Sequence, residues 1–261
     1  MEKWGNEKMT ANEYLINVVN KYKLQGIDQY TETSIIYPIQ KEIYKWGGED
    51  IVDIKLSGSR AKGTAISLAS DLDLFISLTS SLDMNLRDIY NSLYNYFNKN
   101  GYSVRKQNVS IGLNFKGNKI DLVPAKRQSQ YGNDHSIYRS KADTWTKTNI
   151  DTHISKVHNS GRINEIIALK IWRENHQLEW PSIYLETFVI DNLKGRALSD
   201  LSDNIWYLLK IISEEFLYQT IVDPANTNNI LSDELTDFEK KKVIAQAICS
   251  RKEQYWSNIL R

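Results

Sequence analysis

Gly58-Ser59-Arg60-Ala61-Lys62-Gly63-Thr64, followed further on by Ser70-Asp71-Leu72-Asp73, is the stretch on which the reading of this chain turns. It spells a tight Gly-Ser turn, a short helix and a strand that opens with two aspartates. Residues i and i+2 of a strand point to one face. Asp71 and Asp73 therefore present two carboxylates side by side at one strand end. Like charges so close are costly unless a cation lies between them. Hard oxygen ligands favour Mg²⁺, which keeps water and takes substrate phosphates as its remaining ligands. Gly58 lets backbone approach a phosphate closely, and Ser59 adds a hydroxyl and an amide at a helix N-terminus, where the dipole favours an anion. Lys62, inside the same segment, is a further candidate phosphate contact.

A third acid lies in Lys119-Ile120-Asp121-Leu122-Val123-Pro124, within an apolar strand whose neighbours Ile120 and Leu122 face the other way. If the two strands are neighbours, Asp121 belongs beside the first pair. Three carboxylates can hold two divalent ions about 3.5–4 Å apart, the arrangement for in-line phosphoryl or nucleotidyl transfer. A lone Asp-x-Asp or a lone Gly-Ser turn carries little. The ordered set carries much more.

Outward from this centre, Ile51–Leu56 and Asp71–Leu78 read as strands, as do Tyr102–Gln107, Ser110–Phe115 and Lys119–Val123, with Lys116-Gly117-Asn118 as a hairpin turn. Leu86–Lys99 has helical spacing. Upstream, Thr10 with Glu13 forms a capping box for a helix over Ala11–Lys23. A second helix covers Ile35–Trp46, with Pro38 in its first turn and Gly47-Gly48 ending it. Beyond residue 150 the strand signals stop. Ile163–Asn175, Pro181–Asn192, Asn204–Gln219 and Ser232–Asn258 read as helices. The expectation is an α/β (α+β) part, residues 1–150, followed by a helical part, residues 151–261, packed around a cleft.

Composition bounds the function classes. The chain has 261 residues, 41% hydrophobic and 25% charged, which excludes a disordered or collagen-like chain. No apolar run approaches the roughly 18 to 20 residues needed to cross a bilayer, and residues 1–8 lack the apolar core of a signal peptide. The single cysteine, Cys249, excludes a disulfide framework and a Cys-rich zinc site, and a cytoplasmic location is expected. Formal net charge is +1, which gives no strong signal for duplex nucleic acid. Residues 1–150 carry 20 Lys and Arg against 16 Asp and Glu, and residues 151–261 carry 13 against 16. That mild basic bias suits anionic small molecules such as nucleotides.

The ordered motif, Gly-Ser-x3-Gly-Thr, then Ser-Asp-x-Asp, then Asp121 ahead of Val123-Pro124, resembles that of the DNA polymerase β-type nucleotidyltransferases. Within them the chain is most similar to the branch holding the bacterial cGAS/DncV-like nucleotidyltransferases (CD-NTases) and the 2′-5′-oligoadenylate synthases; archaeal CCA-adding enzymes share much of the core motif. The resemblance implies a nucleotidyltransferase palm with a mixed sheet, then a C-terminal helical domain, with two Mg²⁺ ions (or Mn²⁺) and a nucleoside triphosphate in the cleft. By that likeness Asp71 and Asp73 hold the metals and donor triphosphate, and Asp121 completes the metal site and helps activate the attacking hydroxyl. Leu169-Lys170-Ile171-Trp172 resembles the helical segment whose lysine contacts the triphosphate. Pro181-Ser182-Ile183-Tyr184-Leu185-Glu186 matches a segment in which a serine contacts phosphate and the next residue, often aromatic, stacks on the donor base. Here that next residue is Ile183, so Tyr184, another aromatic or apolar contact must serve. Trp46-Gly47-Gly48 and Asp223-Pro224-Ala225-Asn226-Thr227-Asn228-Asn229 extend the likeness, the latter as a structural loop.

The activity implied is synthesis of a cyclic or linear oligonucleotide signal from NTPs, ATP among them, in anti-phage defence, with a downstream effector reached through the product. Transfer to an RNA 3′ end such as tRNA, to a small molecule or to a protein, and a catalytically silent nucleotide sensor, are the alternatives. His153, His158 and His176 are expected to be structural. Cys249, Trp172, Trp206 and Trp256 are expected in the core.

Overall fold

The computed structural model describes residues 9–69 and 71–261. Ser70 and the segment 1–8, both read above, lie outside the described residues. The chain opens with α1 (Ala11–Tyr22), whose capping box between Thr10 and Glu13 forms as expected. A short turn α2 (Gln29–Thr31) passes through a π-helical turn at Glu32–Ile36 into α3 (Tyr37–Gly47). Pro38 sits in the first turn of α3, where its missing N–H costs nothing. Gly48 ends the helix at φ 53°, a conformation open to glycine.

Strands β1 (Ile51–Leu56) and β2 (Leu72–Leu78) flank the one-turn helix α4 (Gly58–Ala61). Helix α5 (Leu86–Lys99) follows, then β3 (Ser103–Lys106), β4 (Ile111–Phe115), β5 (Asn118–Arg127), β6 (His135–Arg139) and β7 (Thr144–Thr148). These seven strands form one mixed sheet in the order β1-β2-β5-β4-β3, with β6 pairing the far end of β5 and β7 pairing β6. Strand β2 runs parallel to β5 and antiparallel to β1. The β4–β5 turn has Lys116 at φ 49° and Gly117 at φ 80°, the two left-handed positions of a tight hairpin. Helices α3 and α5 cover the sheet with Ile39, Ile43, Ile89, Leu93 and Phe97 against Leu74, Ile76, Ile120 and Leu122.

The remainder is helical: α6 (Ile150–Ser160), α7 (Ile163–Asn175), α8 (Ser182–Asn192) and α9 (Leu201–Glu214), then a hairpin of β8 (Val222–Asp223) and β9 (Asn226–Ile230), then α10 (Asp237–Ser250) and α11 (Trp256–Ile259). Its core gathers Ile167, Leu169, Trp172, Tyr184, Phe188, Leu208, Ile212 and Phe216. Helix α1 belongs to the same core through Leu15, Val18 and Val19, so the chain leaves the helical core for the sheet and later returns.

The structure corrects several sequence expectations. Strand signals do not stop at 150: the Asp223–Asn229 loop closes the β8–β9 hairpin, in which Asp223 accepts from the Ala225 amide at 2.8 Å and from Asn229 at 3.1 Å. Strands β6 and β7 and helix α6 were not expected, although Asn149 caps α6 and Gly161 ends it. The helix expected at Asn204–Gln219 starts earlier, because the Asp200 side chain caps it. The one expected at Ser232–Asn258 is divided, because Thr236 and Glu239 build a fresh capping box that starts α10. Cys249 is exposed, since Val243, Ala247 and Ser250 form the buried stripe of α10 and Cys249 lies off it. Trp172 is fully buried, but Trp206 is 36% exposed at the rim of the stripe Ile205, Leu208, Leu209 and Ile212, edge-on to the partly buried Trp256.

Candidate active site

Register brings the expected carboxylates together. In the parallel β2–β5 pair, Asp73 stands directly opposite Asp121, so both side chains leave the same face of adjacent strands. Asp71 lies two residues before Asp73, just ahead of β2. The Gly-Ser turn packs over this strand end. The Ser57 amide donates to the Asp73 carbonyl at 2.8 Å. Gly58 adopts φ 60°, and a Cβ there would fall 1.8 Å from Asp73 Oδ2. Only glycine fits, because backbone and carboxylate share that space. Ser59 is half-buried in α4, where its carbonyl accepts from the Thr64 amide at 3.0 Å.

The electrostatics follow from the crowding. Burial, then the neighbouring Asp121, raise the Asp73 carboxyl to about 7; Lys62, Asp71 and Lys170 make smaller contributions. Asp121 is also raised, by burial and then by Asp71. It is held by donors: Gln107 Nε2 reaches Oδ1 at 2.8 Å and Ser110 Oγ reaches Oδ2 at 3.5 Å. Gly112, paired opposite Asp121 on β4, leaves room for this, since a Cβ there would meet Gln107 Nε2 at 2.5 Å.

Among the described residues no group of three or more acidic, His or Cys side chains is already gathered around an ion position. The donor set nonetheless suits one. Asp73 and Asp121 share a strand face, both resist ionisation without a counter-charge, and carboxylate oxygens are the ligands Mg²⁺ takes.

Beside the carboxylates opens a cleft of about 690 Å³, within the range of small-molecule sites. The sheet contributes Ser57, Gly58, Lys62, Asp73, Phe75 and Arg139, and the helical part contributes Ile154, Pro181, Ile183, Leu231 and Asp233. Ile183 lines the wall, as its place in the sequence anticipated. Tyr184 is fully buried and stacked on Phe216, ring centroids 5.4 Å apart, so it is excluded from stacking on a base in this cleft. Ser182 begins α8, and its hydroxyl accepts from Arg173 at 3.2 Å. His153, also in the cleft wall, has Nε2 2.8 Å from Asp223 Oδ1.

The two candidate lysines converge on a residue the sequence reading passed over. Glu186, completely buried, takes Lys62 on Oε2 and Lys170 on Oε1 at 2.7 Å. Thr64 Oγ1 donates to Oε1 at 3.0 Å and accepts from Lys170 at 2.9 Å. Burial lowers Lys170 to about 8, with Glu186 opposing the fall. Burial alone would raise Glu186, but Lys170 and then Lys62 bring it down to about 2. A signal existed in the sequence. Ile166-Ile167-Ala168-Leu169-Lys170-Ile171-Trp172 and Tyr184-Leu185-Glu186-Thr187-Phe188-Val189 each carry one charge in an apolar helical run, and such lone opposite charges must find each other.

The fold can be placed among solved structures. CdnC of E. coli MS115-1, solved with ATP, matches over 94% of this chain and 91% of its own, at a TM-score of 0.77 and 17% identity. The CdnE cyclic dinucleotide synthase of Elizabethkingia meningoseptica, solved with GTP and Apcpp, matches over 94% and 99%, at a TM-score of 0.67 and 17% identity. The chain has the polymerase β-type nucleotidyltransferase fold. The nucleotidyltransferase fold also extends to the Cid1 poly(U) polymerase, which matches over 92% of this chain and 93% of its own, at a TM-score of 0.66 and 11% identity. Neither a family model nor a curated protein matches the chain. In this nucleotidyltransferase fold, no helix among the described residues is long and apolar enough to cross a membrane.

Proposed function

We propose that the chain is a Mg²⁺-dependent nucleotidyltransferase that joins nucleoside triphosphates, ATP among them, into a short cyclic or linear oligonucleotide. The observation that carries this is the in-register pairing of Asp73 with Asp121 under the Gly58 turn, at the edge of a cleft large enough for a nucleotide. Asp71, Asp73 and Asp121 are the residues that hold the metal. Bound there, divalent ions neutralise phosphate charge and lower the pKa of an attacking hydroxyl. In the reaction a ribose 2′- or 3′-hydroxyl, activated beside Asp121, gives up its proton to solvent as its oxygen bonds to the α-phosphorus, the bond to the bridging oxygen breaks, and pyrophosphate leaves.

The chain's own groups perform the rest. The Gly58-Ser59 turn brings backbone close to the phosphates, and Lys62, in the cleft wall, sets positive charge against them, with Lys170 buried behind it. Ser182 begins α8 between Pro181 and Ile183, which line the opposite wall. Val123, Ile137, Ile154, Ile183 and Leu231 give the base an apolar seat. Residues 1–150 act as the catalytic domain and 151–261 as the helical domain that closes the cleft. We place the protein in the cytoplasm, as a source of a defence signal read by a separate effector.

Transfer to an RNA 3′ end is a second reading, favoured by the match to the poly(U) polymerase. A net charge of only +1 weighs against it, because gripping a long RNA takes many phosphate contacts. The test of enzymatic function is incubation with each NTP and Mg²⁺, with pyrophosphate release and product masses measured. Wild-type protein should release pyrophosphate, and Asp71→Ala with Asp73→Ala should release none while remaining folded. Equal rates in both would remove the metal assignment.

A further inference from the structure

The Lys62–Glu186–Lys170 cluster distributes its donors unevenly. Lys170 is 2% exposed and does not line the cleft. Its ammonium has three N–H donors. They are matched by Glu186 Oε1 at 2.7 Å, Thr64 Oγ1 at 2.9 Å and the Thr64 carbonyl at 3.5 Å. Nothing remains for a phosphate. Lys62 is also buried, at 7% exposure, yet it lines the cleft beside Ser57, Gly58 and Asp73. The one hydrogen bond of its ammonium among the described residues goes to Glu186. Two of its donors are therefore unmatched at the cleft wall. Two ammonium groups share one carboxylate, and the other carboxyl within their reach, Asp73, resists ionisation, so the cluster carries an excess positive charge that Glu186 cannot neutralise. Burying such a charge is costly without an anion.

Building on the nucleotide-binding reading above, we infer that Lys62 is the lysine that meets the donor triphosphate, and that Lys170 is a positioning residue acting through Glu186. Glu186 anchors Lys62 from behind and turns its free N–H groups toward the cleft. Lys170 and Thr64 fix Glu186. The cluster also ties the Gly-Ser segment to α7 and α8, so the phosphate contact on the sheet side is held by the helical part. Lys170 thus has a role other than direct phosphate contact.

The test compares affinity for a non-hydrolysable ATP analogue with affinity for AMP, both with Mg²⁺, by calorimetry. Lys62→Met should weaken the triphosphate by about ten- to hundred-fold, the scale of one charge-assisted contact, and change AMP by less than about threefold. Lys62→Arg, which keeps the charge, should restore most of the loss. Lys170→Met leaves Glu186 paired one-to-one with Lys62, strands no charge, and should keep the preference for triphosphate over AMP. If that variant does not fold, Lys62→Met alone decides. An unchanged triphosphate preference in Lys62→Met overturns the inference while the nucleotide-binding reading stands. So does loss of the preference in folded Lys170→Met with Lys62→Met unaffected. Failure of the wild-type protein to bind either nucleotide overturns both.

Discussion

Replacing Asp73 by asparagine should stabilise the metal-free protein above neutral pH while disabling the proposed site. The folded protein holds this carboxyl at about 7, through burial first and Asp121 second, against an ordinary value of 3.8. Between those values the folded state binds more protons than the unfolded chain. Stability therefore falls as pH rises through about 4 to 7, and the loss is complete above the folded value. The gap of about three pH units, at 1.36 kcal/mol each, sets a ceiling of about 4 kcal/mol. Asp73 is only half-buried by its surface, and water screens part of that cost, so about 2 kcal/mol is the expected effect. The assay is urea denaturation of wild type and Asp73→Asn at pH 5 and pH 8, with a chelator present. About two thirds of that window lies above pH 5, so the stability difference should shift in favour of the variant by about 1 kcal/mol between the two pH values. Millimolar Mg²⁺ at pH 8 should raise wild type and leave the variant unmoved. A difference that does not change with pH, or that moves toward wild type at pH 8, would refute the account of a strained carboxylate pair.

Gly58→Ala places a methyl group 1.8 Å from Asp73 Oδ2 at φ 60°, so backbone and carboxylate must separate. Turnover should fall by about a hundred-fold, the cost of a displacement near 1 Å at a reacting centre, as read from kcat in steady-state NTP assays. Glu186→Ala strands two buried ammonium groups and should lower stability by about 3–5 kcal/mol, measured from urea midpoints. Gln107→Ala removes the donor at 2.8 Å from Asp121, a bond that favours the charged carboxylate. The Asp121 carboxyl, already raised, should move further up, shifting the acidic limb of the pH–rate profile to higher pH.

Much of the site could be read before the fold was seen, because it rests on strand alternation and short-range turns. Asp71 and Asp73 share a face by periodicity alone, and a glycine next to them has few other uses. The helices Leu86–Lys99 and Ile163–Asn175 carry helical spacing in their own residues and lie where expected. What escaped depends on contacts distant in sequence. His135–Arg139 and Thr144–Thr148 are short and polar, and become strands because β5 runs on to Arg127 and offers its free edge. Glu186 gains its meaning from Lys62, 124 residues away. Trp206 and Cys249 look apolar in sequence, but each stands one helical step off its buried stripe. Lys170 stood out as a lone charge in an apolar run, and Glu186 carried the same mark, but only the fold pairs them.

The most direct measurement is NTP turnover with Mg²⁺ in the presence and absence of total tRNA, with products resolved by mass. The account predicts pyrophosphate release and short oligonucleotides, phosphatase-resistant if cyclic, with no RNA present, and no dependence on added tRNA. Nucleotide incorporation only when tRNA is added, with the label migrating on it, would contradict the central claim.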